Sequence, residues 1–495
     1  MIDYVYKTDP FDHQRDVFTV SRDKEYFALL MEQGTGKTKV TIDTAAWLYS
    51  YGRIDAMLIV APNGVQRNWI INELPAHCPD YTNWKAAWYN SSPTKQEEKE
   101  LCKVLEHGGF RIVAMNIEAL ATKKGQQFCK SFLLNFRTML VVDESSVIKN
   151  PKAIRTKTLL KLSVHAAYRR ILTGTPITQG PLDLFTQFTF LDSHILHTSS
   201  YYAFRNRYAV TREMRTNGRS FQTVVGYTNL DELTKLIEPH SYRVTKSECL
   251  DLPEKLYSKR YVTLSPSQRT LYNALKKEVV AEFNGMTMSA PLALTKLLRL
   301  QQIVGGFFVP DECGDAFENC EINDHGFIAR IPQPIDKENQ RVNSLIELLE
   351  ETNGKVIIWG RFRSEISCIC ESIAETFGAG SAVQYHGGVD NETRADNIRR
   401  FQTDDACRFF VGHVQAGGKG LTLHAATTVV YYSNDFSLEN RLQSEDRAHR
   451  IGQKHNVTYI DMIAPDTLDE AVVQALRSKK DVANLVTGDD PIYWI

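Results

Sequence analysis

Residues 31–38 read Met-Glu-Gln-Gly-Thr-Gly-Lys-Thr, a pattern suited to binding phosphate. They follow an apolar run and precede an amphipathic segment that predicts a helix over 38–51. Glycines at such a junction let backbone N–H groups approach phosphate oxygens, and the amino end of the helix favours negative charge. Lys37 is suited to neutralise the β- and γ-phosphates of a nucleotide, and Thr38 to hold Mg²⁺. Met31 stands where the strict pattern has its first glycine.

Two adjacent carboxylates, Asp143 and Glu144, follow a second apolar run at 139–142. This run predicts a strand of the same parallel sheet, so its acids are expected at the carboxyl edge, beside the phosphate loop. There Asp143 can hold magnesium through water, while Glu144 can orient and deprotonate an attacking water. The alternative is a strand-end acid pair that is exposed and has no catalytic role.

Two further groups are suited to the ends of a nucleotide. Gln14 has an amide that can donate to and accept from an adenine edge while Phe11 stacks on it, although an ordinary helix start gives the same letters. Arg447 and Arg450 are three residues apart, which predicts one helix face. There they could stabilise charge on a γ-phosphate held by the other half of the chain. The alternative is a salt-bridged surface helix, because acids stand at 445–446.

These groups need rigid strands to position them, and apolar runs alternate with helical segments in both halves of the chain. The predicted strands are 26–31, 56–60, 111–115, 139–142 and 170–172, then 355–359, 382–385, 408–412, 428–432 and 457–461. Helices are predicted at 265–283, 292–304, 364–377, 391–402 and 437–449. The middle, about 193–340, is richer in helical periodicity, and 310–334 is predicted as loop and linker. The pattern therefore predicts an α/β fold with two lobes.

Composition limits the classes of partner. The chain has 495 residues, with 58 Lys+Arg against 59 Asp+Glu, so bulk positive charge cannot coat it with nucleic acid, although a locally basic groove remains open. It contains no apolar run of about 18 residues, which argues against a membrane partner. Nine cysteines include no C-x-x-C pair, so zinc is not expected. The amino terminus lacks a secretion signal, and a cytoplasmic location is expected.

Taken in chain order, these segments resemble the helicase motifs of superfamily two, and specifically those of the Swi/Snf-type DNA-translocating ATPases. The matching segments are Gln14 (Q motif), 34–38 (motif I), 60–62 (Ia), 143–144 (II), 172–177 (III), 356–359 (IV), 417–423 (V), and Gln443 with Arg447 and Arg450 (VI). Segments that favour the Swi/Snf type are 148–150, 242–246, 252–255, 267–268 and 446–453.

The resemblance implies two RecA-like parallel-sheet lobes with helical insertions between them. The predicted domains are an ATP-binding lobe at 1–192, insertions and linker at 193–340, a second lobe at 341–470 and a helical extension at 471–495. ATP and Mg²⁺ are the implied cofactors. The residues expected to bind ATP are Gln14, Gly34, Thr35, Gly36, Lys37, Thr38 and Gln443, and Thr38 and Asp143 are expected to hold Mg²⁺. The expected catalytic residues are Lys37, Asp143, Glu144, Arg447 and Arg450.

The resemblance also implies contacts to one strand of a DNA duplex. Asn63, Gly64, Asn116, Arg361, Gly418 and Lys419 are expected at the strand-binding cleft. A basic segment between 203 and 219 adds Arg205, Arg207 and Arg212, whose guanidinium groups could neutralise phosphates. A solvated helical face or an intramolecular ion-pair set is the alternative for that segment.

One position departs from the family pattern. Ser145 and Ser146 complete motif II, where the family usually has Gly-His or Ala-His. The missing histidine normally helps to link the nucleotide site to motif III, so hydrolysis is expected to survive while coupling to DNA is altered. Few residues lie outside the motor, which is typical of viral, bacterial or lean repair-type members.

The sequence thus predicts an ATP-dependent double-stranded-DNA translocase. A strand-separating or branch-remodelling helicase is the alternative among enzymes, and a nucleotide-gated DNA clamp with little turnover is the alternative outside them. Expected partners are double-stranded or branched DNA and proteins that direct the motor to a DNA process. The expected location is accordingly on nucleoid or viral DNA.

Overall fold

The computed structural model describes residues 4–63, 65–216, 219–284, 290–310, 320–322, 328–417 and 421–487. These residues fall into two compact units. The first unit takes in the described residues of Met1–Arg212, Val224–Asp251 and Lys479–Pro491, and the second those of Glu213–Thr223 and Leu252–Ser478.

The first unit is built on a seven-stranded parallel sheet with the order β3-β4-β2-β5-β6-β1-β9. The strands in this part of the chain are β1 (Tyr26–Met31), β2 (Ala56–Ala61), β3 (Lys85–Tyr89), β4 (Arg111–Asn116), β5 (Thr138–Asp143), β6 (Tyr168–Leu172), β7 (Ala209–Thr216), β8 (Arg219–Tyr227) and β9 (Ser241–Val244). Strands β7 and β8 form a separate two-stranded sheet.

Helices cover both faces of this sheet. The helices in this part of the chain are α1 (Asp12–Ser21), α2 (Lys37–Ser50), α3 (Val65–Asn68), α4 (Leu74–His77), α5 (Lys95–Leu105), α6 (Lys123–Asn135), α7 (Ile154–Ser163), α8 (Leu184–Leu191), α9 (Tyr201–Tyr208), α10 (Leu230–Ile237) and α11 (Lys246–Cys249). Strand β2 shows why both faces are covered, because all six of its side chains are buried. Leu58 and Val60 point into one core and Met57 and Ile59 into the other, as the two-residue period of a strand requires.

The second unit is built on a six-stranded parallel sheet with the order β10-β19-β18-β15-β17-β16. The remaining strands are β10 (Lys255–Tyr261), β11 (Phe307–Phe308), β12 (Cys320–Ile322), β13 (Ile328–Arg330), β14 (Gln333–Pro334), β15 (Lys355–Gly360), β16 (Ala382–Tyr385), β17 (Phe409–His413), β18 (Ala426–Tyr431) and β19 (Val457–Ile463). The remaining helices are α12 (Pro266–Asn284), α13 (Ala290–Val304), α14 (Gln340–Glu351), α15 (Arg363–Phe377), α16 (Asn391–Thr403), α17 (Val414–Gly417), α18 (Leu438–Ala448) and α19 (Leu468–Thr487).

The ten predicted strands and the predicted helices are confirmed to within a few residues. The helical reading of the middle of the chain is incomplete, because β9 and β10 lie there and each forms an edge of one large sheet. Both edge strands carry charged residues, so neither contains the apolar run that predicts a buried strand. The sequence predicts loop and linker at 310–334, but the described residues of this stretch include the short antiparallel pair β12–β13. Among the helices of the described chain, none is both long enough and apolar enough to cross a bilayer.

Candidate nucleotide and nucleic-acid sites

The glycine loop runs from the end of β1 to the first turn of α2. Gly34 and Gly36 adopt left-handed φ angles of +82° and +92°, which glycine reaches without strain. A Cβ atom at Gly36 would lie 2.1 Å from Nε2 of Gln14, so this position also needs the absence of a side chain. The loop therefore presents its backbone at the amino end of a fourteen-residue helix, as phosphate binding requires.

Lys37 extends back along this loop. Its Nζ donates to the carbonyl oxygens of Met31, at 2.8 Å, and Glu32, at 3.2 Å. These oxygens hold the ammonium group next to the loop backbone that would cradle phosphate. Lys37 is thus held at the glycine loop within the first unit.

Asp143 is the last residue of β5 and is buried. Its Oδ2 accepts a hydrogen bond from Nε1 of Trp69 at 2.7 Å, and its Oδ1 accepts one from the backbone N–H of Glu144 at 2.9 Å. Burial raises the pKa of the Asp143 carboxyl, while the Trp69 hydrogen bond and the charge of Lys37 act in the opposite direction. Such a carboxylate gains from a nearby cation, which fits a magnesium ligand.

Glu144 has a left-handed backbone, with φ 51° and ψ 60°. This conformation is uncommon for a residue other than glycine, and it turns the chain sharply at the sheet edge. Gln33, from the glycine loop, donates through Nε2 to Oε1 of Glu144 at 3.1 Å. The predicted general base is therefore tied directly to the loop expected to bind phosphate.

Gln14 lies against the glycine loop. Its Nε2 donates to the carbonyl oxygen of Thr35 at 3.1 Å, and its Oε1 accepts from the backbone N–H of Phe11 at 3.1 Å. His13, which was not singled out from the sequence, donates through Nε2 to the same Thr35 oxygen at 2.7 Å. Both side chains therefore fix the shape of the loop.

A polar cleft of about 520 Å³ lies beside the contact between His13 and the glycine loop. It is lined by Phe11, Asp12, His13, Asp16, Tyr242, Arg243, Val244, Glu248 and Cys249. Its aromatic rings and polar groups suit a nucleobase. Arg243 also donates through Nη1 to the carbonyl oxygens of Leu30, at 2.8 Å, and Gly174, at 3.2 Å. The edge strand β9 thus connects the cleft with strand β1 and with the loop that follows β6.

Besides His13, the site includes Trp69 and Gln33, which the sequence motifs do not single out. Trp69 begins a short π-helical turn, Trp69–Glu73, and its exposed fraction is 1%. A tryptophan in an amphipathic segment is usually a core residue, and its partner lies 74 positions away. Gln33 stands inside the matched motif, where only its position next to the glycines could have drawn attention to it.

In the second unit, Arg447 and Arg450 meet at one backbone oxygen. The prediction that both lie on one helix is wrong, because α18 ends at Ala448 and Arg450 follows the end. Their Nη1 atoms nevertheless both donate to the carbonyl oxygen of Leu421, each at 3.1 Å, and Arg450 Nη1 also donates to Thr422 Oγ1 at 2.7 Å. The two guanidinium groups therefore lie close together because they share a backbone acceptor, and not because they lie on one face of a helix.

Gln443 is buried on the same helix, with an exposed fraction of 1%. Its carbonyl oxygen accepts from Nε of Arg447 at 3.0 Å, and its Nε2 donates to Oε1 of Glu439 at 3.4 Å. It thus supports Arg447 directly. The alternative of a surface ion-pair helix does not hold for Glu445, which is fully buried and accepts from Nε of Arg441 at 2.9 Å.

The residues expected to contact DNA fall in different surroundings. Asn63 and Asn116 lie at the carboxyl ends of neighbouring strands, since Ala61 pairs with Asn116 in the sheet. Asn116 uses its Oδ1 to accept from the backbone N–H of Glu118 at 2.9 Å. Gly64, Gly418 and Lys419 lie outside the described residues.

The arginines that are expected to contact DNA also differ in their surroundings. Arg207 makes a two-pronged ion pair with Glu232 at 2.7 and 2.6 Å, which matches the intramolecular alternative for this residue. Arg205 lies over the ring of Tyr202, with 5.6 Å from Cζ to the ring centroid. Arg212 is exposed. Arg361 in the second unit is half-buried and donates to Gln301, and burial lowers the pKa of its guanidinium group.

The fold and the first site together define a class. A glycine loop between a strand and a helix, a lysine in that loop and strand-end acids on the same parallel sheet are the parts of a P-loop nucleotide-binding lobe. The two parallel sheets, each flanked by helices, are RecA-like lobes.

Comparison with known families gives a more specific assignment. The SNF2-related domain matches residues 18–305, and the helicase conserved C-terminal domain matches residues 340–452. The chain therefore belongs to the SNF2-related family, and the Swi/Snf-type resemblance seen in the motifs is confirmed.

Individual relatives are more distant. The chromodomain-helicase-DNA-binding protein 1-like of Danio rerio is 27% identical over 457 residues, which make up 92% of this chain and 41% of that protein. The DNA annealing helicase and endonuclease ZRANB3 of Mus musculus is 28% identical over 482 residues, 96% of this chain and 40% of that protein. This chain thus spans less than half the length of these curated relatives. A solved structure, the Sulfolobus solfataricus SWI2/SNF2 ATPase core in complex with dsDNA, is 23% identical with a TM-score of 0.43, and the match covers 99% of this chain and 95% of that one.

Proposed function

We propose that this protein is an ATP-dependent motor that moves along double-stranded DNA. One observation carries the proposal. Lys37, Asp143 and Glu144 lie at the carboxyl edge of one parallel sheet, and Gln33 donates a hydrogen bond to Glu144, the proposed general base. Family membership supports ATP as the nucleotide. The names of the two relatives above, which mention DNA, support DNA as the track.

In this proposal the first unit supplies the groups that bind ATP and the general base. The glycine loop, including Thr35, cradles the phosphates through its backbone, and Lys37 exchanges loop carbonyls for phosphate oxygens. Thr38 and Asp143 hold Mg²⁺, which neutralises charge on the β- and γ-phosphates when bound. Glu144 accepts the proton of the attacking water. Among the described residues no group of three acids, histidines or cysteines is arranged to hold a metal, which suits an ion held by few protein ligands and by substrate phosphates.

The second unit supplies the positive charge for the transition state. Arg447 and Arg450 rest on a carbonyl oxygen, and we propose that they exchange it for the γ-phosphate. Hydrolysis then depends on both units at once, and movement along DNA follows from their alternation. Backbone phosphates, rather than base edges, are the proposed contacts of the basic segment that holds Arg205 and Arg212.

Steady-state ATP hydrolysis with matched single-stranded DNA, duplex DNA, branched DNA and RNA tests the proposal. Strong stimulation by duplex DNA is expected, followed by displacement of a triplex-forming strand ahead of the motor. Stimulation by forked DNA together with strand separation would instead support a helicase. Tight ATP-dependent DNA binding without stimulation would support a clamp and overturn the motor. Fractionation with the host or viral chromosome would test the expected location on DNA.

A further inference from the structure

A buried hydrogen-bonded bridge begins at the residue that follows the proposed base. Ser145 opens the short 3₁₀ turn Ser145–Ile148, and its Oγ donates to Oε1 of Gln187 at 2.6 Å. Gln187 lies on α8, and both residues have an exposed fraction of 0%. The bridge therefore joins the turn after β5 to a helix 42 positions further along the chain.

The amide of Gln187 uses its oxygen and both of its N–H donors along this bridge. Its Nε2 donates to the carbonyl oxygens of Pro176 and Asp183, each at 2.8 Å. A flipped amide would place its oxygen against two carbonyl oxygens, so only one orientation satisfies the network. A fully satisfied buried network has few alternative arrangements, because breaking one bond leaves a polar group without water.

One end of the bridge reaches the nucleotide site. Glu144, the neighbour of Ser145, accepts from Gln33 of the glycine loop. Pro176 belongs to the loop after β6, and that loop packs closely on the same Gln33, since a Cβ atom at Gly174 would lie 3.0 Å from its backbone nitrogen. The loops after β1, β5 and β6 thus form one connected set.

The other end of the bridge reaches the basic segment. Phe185, also on α8, packs on the rings of Tyr201 and Phe204 of α9, with centroids 5.5 and 5.3 Å apart. Helix α9 carries Arg205, which belongs to the proposed DNA contacts. All of these residues belong to the first unit.

We propose that Ser145 and Gln187 are positioning residues that link the occupancy of DNA on α9 to the placement of Glu144. The inference rests on the proposed function. A shift of α8 moves Gln187, and its bonds to Ser145 and Pro176 carry that shift to the turn that bears the base and to the neighbouring loop. The link is uncharged, so it acts without a change in protonation.

Two substitutions separate this role from simple packing. Ser145→Ala leaves Oε1 of Gln187 buried without its donor, and Gln187→Met, of similar shape, leaves the Ser145 hydroxyl and the Pro176 carbonyl without partners. Each single variant is expected to lower the midpoint of urea unfolding. The double variant removes both partners of the serine–glutamine bond, so its midpoint is expected to recover part of the loss. Thr189→Val is the matched control, because its hydroxyl donates within α8 to Phe185 and takes no part in the bridge.

The deciding measurement is kcat with duplex DNA divided by kcat without it, together with KM for ATP. We expect this ratio to fall about two- to thirty-fold in both single variants and in the double variant, with little change in KM and none in the control. A double variant that regains stability and also the wild-type ratio of kcat values would show that the bridge contributes only to packing, and this would overturn the inference. Ser145→Ala gives the same test in its mildest form, since an unchanged ratio there would also overturn it. A wild-type protein without stimulation would instead overturn the proposed function, and the role of the bridge with it.

Discussion

Both units bury an aspartate on a strand of the parallel sheet, but the two aspartates accept hydrogen bonds from different kinds of donor. Asp143 in the first unit accepts hydrogen bonds from two uncharged donors, an indole and a backbone amide. Asp461 in the second accepts two guanidinium hydrogen bonds from Arg441, at 2.5 and 3.0 Å, and one from Asn434 at 2.7 Å. Only the first carboxylate keeps capacity for an added cation, which is what a magnesium ligand needs.

The arginines of α18 show the same contrast. Arg441 is fully engaged by Asp461 and Glu445, whereas Arg447, six residues later, donates to the carbonyl oxygens of Leu421 and Gln443. A bond to a carbonyl is easier to exchange for a phosphate than a buried ion pair is to break. We propose that the groups for chemistry in this chain differ from those for architecture in their partners rather than in residue type or burial.

The strongest test of this contrast replaces Arg447 and Arg450 together by alanine. If they stabilise the transition state, DNA-stimulated kcat falls about 10³-fold or more, as for other arginines that act on a γ-phosphate. ATP binding by the first unit should persist, as measured with a fluorescent ATP analogue. A double variant that hydrolyses ATP at the wild-type rate would assign these arginines to architecture.

The next largest effect concerns Glu144. Glu144→Gln keeps the shape and the bond from Gln33 but removes the base, so kcat should fall about 10²–10⁴-fold while ATP binding remains. Steady-state turnover and equilibrium nucleotide binding on the same preparation separate the two. Unchanged hydrolysis would remove Glu144 from its proposed role.

Arg441→Met tests the architectural side of the comparison. It leaves two buried carboxylates without their shared cation, so the second unit should lose about 3–5 kcal/mol in free energy of unfolding. The control is Arg399→Met, because Arg399 pairs with Asp396 on the surface, and there a loss below about 1 kcal/mol is expected. Equal effects of the two changes in urea unfolding would contradict the contrast.

The smallest effect concerns Asp143→Asn, which removes a buried charge and can keep the acceptor for Trp69. Because burial raises the pKa of this carboxyl, the folded state retains a proton that the unfolded chain releases above its ordinary pKa. Wild-type stability without nucleotide should therefore decline as pH rises from about 4 toward the raised pKa. The variant should lack this decline while losing hydrolysis. Urea unfolding of both proteins across pH is the measurement, and equal slopes would contradict it.

The chemistry-bearing loops could be predicted from the sequence because each is a short continuous segment at a strand end. Glycine at 34 and 36, Lys37 and the acids at 143–144 need only local neighbours to be recognised. The partners of these groups could not be predicted in the same way, since Trp69 and Gln187 meet their partners through tertiary packing. The position of Arg450 depended on the end of α18, which precedes the left-handed Gly452 by a few residues. Strands β9 and β10 were missed because an edge strand needs no apolar run.

The bond between Trp69 and Asp143 places a buried indole ring at the proposed nucleotide site. An indole whose N–H donates to a carboxylate changes its emission when that carboxylate changes charge or takes up a cation. If Asp143 holds Mg²⁺ as proposed, binding of the ion is expected to change the emission of Trp69, which is one of six tryptophans in the chain.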